Sequence, residues 1–213
     1  MTNPFDFFSE IFCMNLPSRP DRREQATKEF ERVGILERVT FIDSKPHPDG
    51  RIGLQTTLLS IFEDVLPRNI QNVLIFEDDV HFINDPVNKL RLALTDLKYS
   101  FNNKFDLLYL GATRTIPCLT VTSNLKLLRS GLAAHATCYN KSVYKPFSKH
   151  LTRVVKQGGI ITDWDISDVF LATHIQNKGR SYMVHPVIAT QEPGWSDIER
   201  RDVNYDFIQR SDY

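Results

Sequence analysis

Val73-Leu74-Ile75-Phe76-Glu77-Asp78-Asp79-Val80 runs four apolar residues straight into three consecutive carboxylates before returning to an apolar side chain. Val, Leu, Ile and Phe in unbroken succession describe a strand covered on both faces. Adjacent acids at its end repel one another and lose hydration unless positive charge stands close by. A divalent cation meets that need. Mg²⁺ and Mn²⁺ prefer hard oxygen ligands, take one or two protein carboxylates, and complete their shell with water and substrate phosphates. The same letters also fit a strand that runs into a solvated acidic turn, so the remainder of the chain has to decide between the two.

Composition narrows the choice. The chain has 213 residues with 41% hydrophobic content, enough to bury a sizeable core, and a single domain is expected. Basic and acidic residues balance at 26 each and the pI is near 7.0, so neither a nucleic-acid partner nor a polybasic membrane patch is expected. Cys13, Cys118 and Cys138 are widely spaced in apolar contexts. They fit neither a disulfide framework nor zinc-ligand spacing and read as buried, reduced thiols of a cytoplasmic protein. No window approaches the ~18 apolar residues of a membrane span, and Met1 to Glu10 lacks a basic leader. The polar stretch from Glu199 to Tyr213 reads as leading into further polypeptide.

Short apolar runs alternate with amphipathic ones. Strands are predicted at Ile11–Leu16, Val39–Ile42, Val73–Phe76, Leu107–Leu110 and Ala133–Tyr139, with short pieces at Tyr182–Val184 and Val187–Ala189. Helices are predicted at Asp21–Val33, closed by Gly34, and at Thr56–Leu66, Val87–Leu97, Lys141–Leu151 and Asp165–Gln176. Arg114 to Ser130 reads as a loop with a hairpin. The alternation argues for an α/β fold with a mainly parallel central sheet flanked by helices. Ligands of such sheets bind beyond the carboxyl ends of the strands, where Asn15, Asp43, the acidic triplet and Gly111 lie.

Neither GxxxxGK[ST] nor GxGxxG occurs. A nucleotide can still be held if a metal grips its phosphates, as in the nucleotide-sugar glycosyltransferases of GT-A fold, whose acidic DxD-type motif ends a strand. The chain resembles family 25 of the glycosyltransferases, which includes lipopolysaccharide-biosynthesis and collagen galactosyltransferases. The resemblance is carried by Asn15-Leu16 with Arg19 and Asp21-Arg22-Arg23, by Gly53 ahead of a helix, by Ile75 to Val80, by Asp106 to Gly111, and by Gln191-Glu192-Pro193-Gly194-Trp195-Ser196-Asp197-Ile198. These follow the family's order across nearly the whole chain. One departure stands out: the family's frequent Ser-His pair after the glycine corresponds here to Thr57-Leu58.

The resemblance implies a GT-A-like domain that moves a hexose from a UDP-sugar to a hydroxyl of a glycan, lipid-linked or protein acceptor, with inversion and with Mn²⁺ or Mg²⁺. It implies that Asp79 binds the metal directly, that Glu77 acts through water, and that Asp78 accepts a hydrogen bond from ribose. Strand alternation points Glu77 and Asp79 to one side and Asp78 to the other. Candidates for a third ligand are His185, Gln191 and Asp197.

The nucleoside end falls to Asn15 and Leu16 at the exit of the first strand, to Arg19 and Arg22, to Asp43 and to Gly53. Arginine forks bind phosphate in a bidentate way, and an Arg-rich helix start runs against the helix dipole; pairing with Asp21 or Glu24 is the structural alternative. Asp43 equally suits a loop-capping role. For the general base, Gly158 to Asp168 offers three carboxylates around Trp164, with Asp165 the first candidate, Asp163 the second, and Asp168 one turn on. Asp165 as a plain helix cap and Trp164 as core are the structural alternatives. Gly158 and Gly159 would let this segment move when donor binds. A metal-dependent phosphatase or nuclease, and a non-catalytic carbohydrate-binding domain using Trp164 and Trp195, are the competing functional classes.

Overall fold

The computed structural model describes residues 3–112, 118–157 and 162–205. Its first repeat is β1 (Glu10–Asn15), α1 (Pro20–Arg32) and β2 (Val39–Asp43). Pro20 opens α1, where its missing N–H costs nothing, and Gly34 at φ +72° turns the chain out of it. α2 (Gly50–Val65), β3 (Asn72–Glu77) and β4 (Val80–Phe82) follow, then α3 (Pro86–Phe101) and β5 (Leu107–Tyr109). The predicted hairpin is β6 (Cys118–Thr120) with β7 (Leu125–Leu128); Arg114 to Pro117 lie outside the described residues. β8 (Ala136–Asn140) leads directly into α4 (Lys141–Gln157). After a 3₁₀ turn at Asp163–Asp165 come α5 (Ser167–Phe170), a π-helical turn at Leu171–Ile175, β9 (Ser181–Val184), β10 (Ala189–Gln191), β11 (Gly194–Ser196) and β12 (Arg201–Val203).

The central sheet has eight strands in the order β2-β1-β3-β8-β5-β9-β7-β6. β2, β1, β3, β5, β9 and β6 share one direction and β8 and β7 run against it, so the sheet is mainly parallel in strand direction even though β8 and β7 each pair antiparallel on both sides. Helices cover both faces. Phe30 of α1 and Leu90, Ala93 and Leu97 of α3 pack on one face; Leu58 and Phe62 of α2 and Tyr144 and Phe147 of α4 pack on the other. That double cover is why Val73 to Phe76 are all buried and why the strand reads as a continuous apolar run.

Three of the departures from the sequence expectation bear on the site. α2 starts at Gly50, six residues before the predicted Thr56, because Asp49 caps it by accepting from Arg51 N–H at 3.0 Å. The helix predicted over Asp165–Gln176 is broken into 3₁₀, α and π turns, since the Asp165 carboxylate reaches back to Thr162 instead of capping forward. Val80 to Phe82, masked by the acids before it, forms β4 and pairs with β10 in a separate two-stranded sheet. That pairing carries the late chain back to the carboxyl end of β3. Among the described residues no helix is long and apolar enough to cross a membrane.

Candidate functional site

β1, β2 and β3 all end on the same side of the sheet, and the segments leaving them wall a cleft of about 640 Å³. Glu77 is the last residue of β3, and Asp78 and Asp79 form the turn into β4. The turn cancels strand alternation, so all three carboxylates line the one cleft, and Asp78 does not point away from its neighbours as alternation predicts. Leu16, Ser18 and Arg22 stand on one side, Ser44 to His47 and the start of α2 on another, and Ala133, Ser167 and Asp168 on a third.

Each carboxylate has a different environment. Asp78 is satisfied: Asn15 Nδ2 donates to Oδ2 at 2.7 Å and Arg22 Nη1 to Oδ1 at 3.0 Å. Asp79 is less well served. Gln191 Nε2 donates to Oδ2 at 3.3 Å and Arg22 Nη1 lies 3.7 Å from the same atom, while the buried Oδ1 has no hydrogen-bond partner. Burial, reinforced by the Asp78 charge and opposed by Arg22, lifts the Asp79 carboxyl to about 6. Burial and then the charges of Asp79, Asp168 and Asp78 push Glu77 well above the ordinary carboxylate range. Asp168 accepts from Ala133 N–H at 2.8 Å, and its carboxyl is raised by burial. The cleft therefore concentrates negative charge that its own residues do not fully neutralise.

A divalent cation fits this arrangement. A buried carboxylate oxygen without a donor, beside a second carboxylate, is what a hard cation needs. Among the described residues no group of three or more His, Cys, Asp or Glu side chains is placed to hold a metal by itself.

No family model matches the sequence. Among curated proteins, the chain is 29% identical over 136 residues to "Inactive glycosyltransferase 25 family member 3" of Homo sapiens, covering 52% of this chain and 23% of that protein. It is 26% identical over 133 residues to "Procollagen galactosyltransferase 2" of Mus musculus, covering 50% and 21%. The chain thus spans less than a quarter of the length of these relatives. Among solved structures, a glycosyltransferase involved in the glycosylation of the major capsid of PBCV-1 superposes with a TM-score of 0.50 at 11% identity, over 90% of this chain and 95% of that one. Over about half its length the chain is similar to glycosyltransferase 25 family members, and its fold is GT-A-like.

The predicted site residues divide sharply. Leu16, Arg22, Gly53, Glu77, Asp78 and Asp79 line the cleft, and Asn15 supports Asp78 from behind. Gly53 is also a packing necessity, because a Cβ there would lie 2.5 Å from Lys45 O. Arg19 is held by Asp21 at 2.8 Å and Asp197 at 2.7 Å and does not form part of the wall. Asp43 is exposed and faces Arg23 at 3.4 Å, outside the cleft. Of the proposed third ligands, Gln191 and Asp197 line the cleft and His185 does not.

Asp165 and Asp163 are also not among the residues lining the cleft. Both Asp165 oxygens are occupied: Thr162 N–H and Oγ1 donate to Oδ2 at 3.0 and 2.8 Å, and Arg153 Nη2 donates to Oδ1 at 2.8 Å. These bonds to Thr162 and Arg153 hold its carboxyl down at about 2. The carboxylate that this segment contributes to the wall is Asp168. Trp164 is 74% exposed and so is not core. Gly158 and Gly159 lie outside the described residues.

At the position of the family's Ser-His pair, Thr57 is buried, donating to Gly53 O at 2.9 Å and accepting from Lys45 N–H at 3.0 Å, while Leu58 enters the core. Among the wall residues not singled out from the sequence, Gln55 is the most enclosed polar one. Gln55 is buried in α2, three and four residues before Leu58 and Leu59. A polar residue on an apolar stripe is the signal for it, invisible while the helix was taken to start at Thr56.

Proposed function

We propose that this domain transfers a hexose from a UDP-sugar to a hydroxyl acceptor, with inversion and with a divalent metal. The observation that carries the reading is the Glu77-Asp78-Asp79 turn at the carboxyl end of β3, gathered into one cleft with an unbonded Asp79 oxygen and with Asp168 lining the same cleft. The likeness to glycosyltransferase 25 family members, one of them named a procollagen galactosyltransferase, supports sugar transfer; the UDP donor and a glycan, lipid-linked or protein hydroxyl as acceptor belong to the proposal.

Asp79 and Glu77 would hold Mn²⁺ or Mg²⁺, Asp79 directly. Such a cation would supply Lewis-acid stabilisation of the charge that grows on the leaving group. The chain's own residues divide the rest of the work. Asp78, held by hydrogen bonds from Asn15 and Arg22, would accept from ribose, and Arg22, which lines the cleft, would meet a phosphate. Inversion forms the bond from acceptor oxygen to anomeric carbon as the bond from that carbon to the β-phosphate oxygen breaks. The acceptor proton then passes to a carboxylate, and we assign this to Asp168 rather than to Asp165 or Asp163. Burial raises its carboxyl, which strengthens it as a base near neutral pH.

Calorimetric titration with UDP and a panel of UDP-sugars, first with Mn²⁺ and then with EDTA, tests the reading. Expected are micromolar binding that EDTA abolishes and a loss of roughly 30-fold or more in Asp79→Ala. No binding in either condition removes the transferase reading and redirects the search to phosphatase and glycan-binding assays. Metal-dependent binding with no transfer to any acceptor would make the domain a nucleotide-sugar binder.

A further inference from the structure

Gln55 is 1% exposed, lines the cleft, and has no hydrogen-bond partner on either its Nε2 or its Oε1. A buried amide left unpaired at both ends forfeits several hydrogen bonds that water would have supplied. Native interiors rarely keep such a group without a use for it.

The direction it faces follows from the helix. Gln55 lies seven residues before Phe62 and therefore shares its side of α2. Phe62 packs on Tyr139, Tyr144 and Phe147, with ring centroids 5.2, 5.5 and 5.2 Å away, and Ile52, one turn before Gln55, clusters with Val154 of α4. The opposite flank of α2, bearing Gly53 and Thr57, abuts Lys45. Gln55 thus turns toward the β8–α4 side of the cleft, where Ala133 and Asp168 stand, and away from the Ser44–His47 loop.

We infer that Gln55 reads the hydroxyls of the transferred sugar, its Nε2 donating to one and its Oε1 accepting from another. The inference rests on the transferase reading above, in which Asp168 marks the place where the anomeric carbon reacts. That reading puts the nucleoside end at Leu16, Arg22 and Asp78, which lie on other elements of the wall. A site whose buried polar groups are completed only by the correct hydroxyl pattern discriminates strongly against sugars that lack it. Gln55 is in this sense a specificity-determining residue for the donor.

The test compares UDP with UDP-glucose, UDP-galactose and UDP-N-acetylglucosamine by calorimetry in Mn²⁺, using the wild-type chain, Gln55→Met and Gln55→Asn. Methionine keeps the shape and removes both polar ends; asparagine keeps the amide but withdraws it by one methylene. The melting temperature of either variant should stay within experimental error of the wild type or rise, since no native bond is lost. UDP affinity should be unchanged, and the affinity gained from the preferred sugar should fall about tenfold in either variant. A tenfold loss that appears equally with UDP would place Gln55 at the nucleoside and overturn the inference. Unchanged affinity for every ligand would overturn it as well, and so would a marked drop in melting temperature in both variants, which would make the amide structural. If the wild-type chain binds neither UDP nor any UDP-sugar, the transferase reading itself falls.

Discussion

Asp165 and Asp168 show how three residues of separation decide what a carboxylate does. Asp165 is fully committed to Thr162 and Arg153; Asp168 accepts from the backbone at Ala133 and Ala134 and lines the cleft. The expected outcome is a split between two variants. Asp168→Asn should bind UDP-sugar with wild-type affinity and lose turnover by roughly 100-fold or more, as removal of a general base does. Asp165→Asn should keep most of its turnover and lower the melting temperature, because a charge-assisted pair and a capping contact are weakened. Turnover and thermal denaturation of both variants check this; wild-type turnover in Asp168→Asn would return the base role to another residue. The motif spacing exposed the segment, but three nearby acids look alike until the chain is folded around them.

At the scale of elements, the acidic triplet and α2 carry the argument. β3 was legible because a strand covered on both faces must be apolar throughout, and its end was legible because acids cannot continue it. The turn that swings Asp78 into line with Glu77 and Asp79 was not legible, since it depends on β4 pairing with β10 more than 100 residues later in the chain. α2 was foreshortened for the opposite reason. Gly50 and Gly53 look like helix breakers in the sequence, yet each lets backbone or side chain approach closely: a Cβ at Gly53 would sit 2.5 Å from Lys45 O and one at Gly50 3.2 Å from Ile198. Gly53→Ala should therefore displace the Ser44–His47 loop. The helix gains intrinsic propensity, but the backbone clash dominates, and a net destabilisation of about 1–3 kcal/mol is expected in denaturant titration. UDP affinity should weaken with it, because the displaced loop is part of the cleft wall.

Over the whole molecule, His135 ties the site to the acid response of the fold. It is completely buried, its Nε2–H donates to Ala189 O at 3.3 Å, and its own carbonyl accepts from Glu77 N–H at 2.9 Å. β3, β8 and β10 are joined there. Burial holds the imidazole down at about 4, below its ordinary 6.5. The unfolded chain takes up a proton as pH falls through 6.5 and the folded chain resists until about 4. Stability is therefore full above pH 6.5 and declines between these values, by up to ~3 kcal/mol. Asp79 acts with the opposite sign: its raised carboxyl costs stability above about pH 6, and that cost is relieved as pH falls. Thermal denaturation across this range, comparing wild type with His135→Gln, should show a flatter acid limb in the variant; identical slopes would remove His135 as the source.

The sequence alone determined the alternation of strands and helices, the strand that ends in acids, and the ordered motifs that align the chain with glycosyltransferase 25 relatives. These are local or periodic properties, set by which side chains a strand or helix can bury and where it must stop. Tertiary structure alone decided which acids share a cleft, which are spent on neighbours, and that Gln55 is enclosed without a partner. Those properties depend on segments far apart in the chain: β10 folding back on β4, Ala133 meeting Asp168, Lys45 lying against Gly53. Burial and the direction of a side chain come from packing between elements, and residue order does not carry either until the elements have met.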